Sequence, residues 1–151
     1  MSVVTVQALD HVHLYVSNRS QSVNWLKSIL GLQPFGSWKE DMKNPRHPVF
    51  MGTGDGSFCL SLFPGRPPRH GDRTVAFRVS AADFLAFNAV LPRDDIRAWD
   101  GKRLRPEDAA DHWMAISHYF ADFDGNQFEL TTYETDKVRA VVGEVPVQLE
   151  Q

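Results

Sequence analysis

Four short segments of this 151-residue chain place mostly polar, chemically capable side chains at every second position. They are His11, His13 and Tyr15; Ser57, Cys59 and Ser61; Thr74, Ala76 and Arg78; and Gln127, Glu129 and Thr131. Side chains two apart on a β-strand share a face. The positions between them are apolar: Val12, Leu14 and Val16; Phe58, Leu60 and Leu62; Val75, Phe77 and Val79; Phe128 and Leu130. This predicts four strands, each with an apolar face under a helix. The other face gathers two imidazoles, a carboxylate, a guanidinium, a thiol, a phenol and several hydroxyls. Lysine, common on solvated sheet faces, is absent from all four segments. The polar face is therefore expected to line a concave pocket for a small molecule; the alternative is the wet face of an antiparallel sheet. Arg78 suits an anionic ligand, because a guanidinium grips a carboxylate or phosphonate with two parallel bonds. Cys59 reads as a small buried hydrophobe, or as a nucleophile if His11 and His13 lower its pKa.

The elements that position these residues occur twice. Val12, Val16 and Ser17 recur as Val75, Val79 and Ser80 at an offset of 63, and Phe58 and Leu60 recur as Phe128 and Leu130 at an offset of 70. In the first half, a strand over 9–17 leads to a helix over 20–30 with Val23, Leu26 and Leu30 on one stripe and Gly31 as its stop. Strands are expected over 33–39, 47–52 and 57–63. In the second half, Ser80 and Asp83 form a capping-box pattern that opens a helix over 81–91, closed by Pro92. Strands over 97–104, 115–121 and 127–133 follow, with Asp124-Gly125-Asn126 as a hairpin turn. Loops fall at 40–46, 64–73 and 105–112. The fold class is α+β: two βαβββ modules, over 1–67 and 68–134, whose curved mixed sheets surround a central cavity with helices outside. Residues 135–151 form a tail, loose from Pro146. His118 has the opposite parity to Tyr119 and faces a helix or the surface. His47, His70 and His112 read as solvated. Trp25 reads as core, and Trp38, Trp99 and Trp113 as pocket walls or interface.

The apolar and charged fractions, 42% and 23%, exclude a disordered chain, and a net charge of −3 gives no basic face for nucleic acid. No apolar run is long enough to span a membrane. With no signal sequence in view and one cysteine, the expected compartment is the cytoplasm.

Three segments resemble the vicinal oxygen chelate superfamily, which includes glyoxalase I, fosfomycin-resistance proteins, extradiol dioxygenases and bleomycin-resistance proteins. They are Leu9-Asp10-His11-Val12, the stretch Ser22 to Leu32, and the hairpin Tyr119 to Leu130. The resemblance implies a divalent metal, Fe, Mn, Ni or Zn, held by His11 and Glu129. It also implies a pocket role for Tyr119, with His13 contacting substrate or moving a proton. Tyr15, Cys59, Thr74, Arg78 and Thr131 are the further substrate-side candidates. Three positions depart from the family pattern. Thr74 stands where a second histidine is usual, Cys59 stands at a position that ligates in some relatives, and Phe123 replaces a hairpin proline. The implied function is a glyoxalase- or dioxygenase-type enzyme. The alternatives are a metal-free binder like the bleomycin-resistance proteins and a fosfomycin-type transferase. A homodimer is expected.

Overall fold

The computed structural model describes residues 11–36, 38–66, 73–113 and 115–143. The segment 67–72 of the expected linker, His70, the side chain of Trp38 and the tail from Pro146 lie outside the described residues. The chain forms two compact units, residues 1–69 and 70–151.

The first unit runs β1 (Val12–Val16), α1 (Arg19–Leu30), β2 (Gln33–Phe35), α2 (Trp38–Lys43), β3 (Val49–Gly52) and β4 (Phe58–Pro64). Its sheet has the order β1-β4-β3-β2, with β1 and β4 parallel and the other pairs antiparallel. Asn18 starts α1 by accepting the Gln21 N–H at 3.0 Å, and Gly31 ends it at a φ of 64° that a Cβ would oppose. Val23 and Leu26 of α1 and the apolar face of the sheet (Val16, Val49, Met51, Leu60, Leu62) are all buried. Removing such side chains from water contributes roughly 1.5–3 kcal/mol each. The sequence reading leaves 40–46 as a loop, but α2 occupies part of it. Its last carbonyls lack intrahelical donors. Arg19, nearly buried, supplies N–H groups to Asp41 O at 3.1 Å and also to His47 O just beyond.

The second unit runs β5 (Thr74–Arg78), α3 (Ala81–Val90), a 3₁₀ turn (Pro106–Asp108), β6 (Ala110–Asp111), β7 (Ile116–Ala121), β8 (Gln127–Thr132) and α4 (Thr135–Val142). Its sheet repeats the pattern, β5-β8-β7-β6 with β5 and β8 parallel. Ser80 caps α3 through the Asp83 N–H at 3.1 Å, and Phe84, Phe87 and Leu91 are buried beneath it. In place of the strand expected over 97–104 there is a tight loop. Asp100 and Gly101 turn it, Leu104 N–H returns to Ile96 O at 2.8 Å, and only isolated bridges join Arg97 to Arg103 and Ala121. The expected tail contains α4. Its Val138 packs into a cluster with Ala81, Phe84, Ala109 and Ile116, and Glu134 just before it accepts the Ala81 N–H at 2.8 Å. Arg139 of α4 grips buried Asp111 with two 2.8 Å bonds. Asp111 also accepts the N–H of Trp113, which is held at a φ of 70°.

Two expectations about register change. A bulge opposite Met51 and Gly52 pairs Gly52 with Phe58. Phe58 thereby leaves the apolar face predicted for it and joins the His11/His13 face. The repeat match at offset 70 is also two residues out of register. Val12 pairs with Leu60, whereas its repeat partner Val75 pairs with Phe128. Ser61, opposite His13, therefore stands where Glu129 stands opposite Ala76; Cys59 is not the equivalent of Glu129.

Of the two sides that its parity leaves open, a helix or the surface, His118 takes the helix and faces α3. It is fully buried, stacks on Phe84 at 5.1 Å and lies 2.6 Å from Asn88 Oδ1 through Nε2, while its Nδ1 meets no partner among the described residues. Burial pushes its pKa down from 6.5 to about 4. The unfolded chain therefore takes up this proton first. Stability is complete above pH 6.5 and declines by up to about 3 kcal/mol as pH falls toward 4. Urea titrations from pH 7 to 4 should show this loss, and His118→Gln should flatten it. Arg139→Met strands the Asp111 carboxylate and should cost about 3 kcal/mol in the same assay at pH 7.

Candidate functional site

Each unit has one sheet face under its helices and one face without them, and the candidate residues gather on the latter. In unit 1 this face is built of rings. His11 and His13 stack at 4.9 Å with their Nε2 atoms 3.0 Å apart. Phe58, turned over by the bulge, stacks on His11 at 4.6 Å and on Phe35 at 5.3 Å, and meets Phe50 edge-on. Phe63 packs against His13 at 4.7 Å and Tyr15 at 5.9 Å. Tyr15 and Phe35 remain exposed. Cys59 is half-buried, and its Sγ lies 3.5 Å from Met51 O. Burial, reinforced by Asp55, pushes the thiol pKa up. This opposes the nucleophilic role that neighbouring imidazoles would favour.

In unit 2 the corresponding face is built of oxygens. Glu129, half-buried on β8, sits directly opposite Tyr119 on β7 and Ala76 on β5. Ser117, two pairs away on β7 and so on the same face, donates to Glu129 Oε1 at 2.7 Å and lies 2.9 Å from Thr131 Oγ1. Ser117 and Thr131 are buried, so Thr131 acts here as a support for Ser117. Tyr119 OH lies 2.8 Å from His112 Nε2, and its ring meets Trp99 edge-on at 5.0 Å. Trp99 is tied down by its indole N–H, which donates to Phe120 O at 3.0 Å. Thr74 and Arg78 are exposed on β5, and the Arg78 guanidinium lies over the Tyr133 ring at 5.4 Å.

The structure thus gathers His11, His13 and Tyr15 on one face of unit 1, and Glu129, Tyr119, Thr131, Thr74 and Arg78 on one face of unit 2. Among the described residues, no three or more His, Cys, Asp or Glu side chains stand close enough to share one ion. The imidazole pair belongs to unit 1 and the carboxylate to unit 2. Two contributors were missed. Ser117 lies within a strand read only for Tyr119, and its parity with Glu129 was the available signal. His112, read as solvated, reaches Tyr119 because β6 folds back on β7. With two residues, β6 is too short to show an alternation.

A model of the Glyoxalase/Bleomycin resistance protein/Dioxygenase superfamily matches residues 8–130. The chain belongs to this superfamily. Its relatives include the glutathione transferase FosA of Serratia marcescens, 31% identical over 129 residues that cover 83% of this chain and 80% of FosA. The same architecture occurs in the fosfomycin resistance protein FosX of Mesorhizobium loti (18% identity, TM-score 0.62, covering 83% of this chain and 91% of FosX). It also occurs in FosX of Listeria monocytogenes, solved with Mn(II) and sulfate (17% identity, TM-score 0.60, covering 90% and 98%). As in the superfamily, the two sheets are mixed and four-stranded, with helices; neither closes into a barrel. No described helix is long and apolar enough to cross a membrane.

The Ser117 hydroxyl joins two strand neighbours, and no solvent replaces it for Thr131. Ser117→Ala should lower the unfolding free energy by about 1–2 kcal/mol, seen as a lower urea midpoint at unchanged slope.

Proposed function

We propose that the protein is a metal-dependent enzyme of the glyoxalase/dioxygenase type acting on a small anionic molecule, with His11 and Glu129 as metal ligands. The observation that carries this reading is the state of Glu129. Ser117, a neutral donor, steadies one of its oxygens. Arg78, the guanidinium on the same strand face, lies over Tyr133. A half-buried carboxylate held in this way has oxygen to offer a cation. The donor types also fit. Imidazole nitrogen from unit 1 and carboxylate oxygen from unit 2 are the combination that suits Fe(II), Mn(II), Ni(II) or Zn(II).

A metal bound there supplies Lewis-acid polarisation of neighbouring substrate oxygens. The protein's own groups do the rest. Arg78 is free to leave the exposed Tyr133 ring for a phosphonate or carboxylate, a bidentate anion anchor. Tyr119 holds a proton at its phenolic oxygen, and His112 Nε2, at 2.8 Å, can accept or return it. Trp99 and Ser117 fix the two reactive groups they touch. Tyr15 and Thr74 line the substrate side. The similarity to FosA makes fosfomycin the first substrate to try, with and without glutathione.

A metal-free binding protein is the second reading. Thr74 in place of a histidine favours it, as does the ring-built face of unit 1, which could stack an aromatic guest. The single thiol fits a reducing cytoplasm, and a symmetric dimer is the expected assembly.

Protein purified without chelator should carry a stoichiometric metal. Once stripped with chelator, it should melt at a higher temperature when Mn²⁺, Fe²⁺, Ni²⁺ or Zn²⁺ is added back, and His11→Ala and Glu129→Ala should abolish both effects. Consumption of fosfomycin, or of another member of a phosphonate and carboxylate panel, should depend on the metal. A metal-free protein indifferent to all four cations would support the binder instead.

A further inference from the structure

We propose that His13 is a metal ligand in its own right, forming with His11 a two-imidazole chelate on a single strand; this rests on the metal-dependent reading above. The superfamily resemblance places the second histidine on the first strand of the second module, and that position is Thr74. At the offset of 63 by which the first strand repeats, His11 corresponds to Thr74 and His13 to Ala76. Unit 2 thus has an imidazole at neither position, whereas unit 1 has one at both. The total of two imidazoles and one carboxylate is kept, with both nitrogens drawn from β1 and its approach.

The geometry of the pair supports this. Residues two apart on a strand share a face, and here the two Nε2 atoms are 3.0 Å apart. Two nitrogens at right angles around an ion, each about 2.1 Å from it, stand about 3.0 Å apart; a tetrahedral ion holds them about 3.3 Å apart or more. The observed span therefore matches adjacent sites of an octahedral ion such as Mn(II), Fe(II) or Ni(II) better than tetrahedral Zn(II). In the structure the short contact requires one shared proton between the two Nε2 atoms. On chelation the donating ring changes tautomer, its hydrogen passing from Nε2 to Nδ1 by exchange with water, so that both Nε2 lone pairs face the ion and each neutral ring carries its one hydrogen on Nδ1. The rings are also braced beforehand, His11 by Phe58 and His13 by Phe63. Bracing reduces the rotamer freedom lost on binding.

The test uses the full chain and Mn(II) or Ni(II) alone as the probe. Calorimetry gives the affinity, and pulsed electron paramagnetic resonance of the Mn(II)-loaded protein counts coupled imidazole nitrogens. Wild type should show two nitrogens. His13→Ala should show one and bind at least about ten-fold more weakly. His13→Phe keeps a ring on Phe63 without a nitrogen and should behave like His13→Ala. It also serves if the alanine variant folds poorly. Thr74→Ala should change neither readout. One nitrogen in wild type, or unchanged affinity in His13→Phe, would overturn the chelate while leaving the metal-dependent reading intact. No binding by wild type would overturn both.

Discussion

Parallel pairing between the first and last strand of each module is the constraint on which the rest of the structure depends. Two parallel neighbours cannot be joined by a tight turn; the chain between them must cross over, and it does so on one side. In unit 1 this crossover includes α1, and in unit 2 α3, so each sheet has one side covered and one uncovered. The pairing also fixes neighbours that are far apart in sequence. His13 must lie beside Ser61, Ala76 beside Glu129, and Arg78 beside Thr131. The polar residues share a surface because the apolar residues between them must be under a helix.

On this common plan the two units have taken different chemical characters. Unit 1 presents stacked rings around two imidazoles, where much of the adhesion is dispersion and quadrupole attraction with little directional demand. Unit 2 presents oxygens joined by short hydrogen bonds through Ser117, where geometry is strict and each lost partner is costly. The first suits soft, adaptable contact; the second suits holding one carboxylate oxygen in place. Helix α4 belongs to the second character. The Arg139 pair fixes Asp111 and the Trp113 turn, which lead directly into β7 and so to Ser117 and Tyr119.

Much of this was legible in the sequence because it follows from period-two alternation and helix caps. Gly31 and Ser80 mark helix ends by chemistry that needs only local chain. Parity put His118 on the face opposite Tyr119, and left its burial under α3 open. What escaped depends on long-range contact. Helix α2 is held by Arg19 from another element, and α4 shows no apolar stripe because, of its three valines, only Val138 is buried. The loop at 96–104 reads as strand when the Asp100-Gly101 turn inside it is overlooked. At the candidate site, the residue types and their strands were readable. The partners of Tyr119 and Glu129 were not, since both arrive across a hairpin.

The bulge at Phe58 has a consequence for how such a fold diversifies. One additional residue in β4 transfers a phenyl ring from the sheet's interior side to its outer surface, while Leu60 and Leu62 remain where they were. A module can thus acquire a new aromatic neighbour for an imidazole with no change to its hydrophobic interior. Duplicated halves that began alike can drift apart in surface chemistry through single-residue insertions, a route far gentler on stability than replacing core side chains.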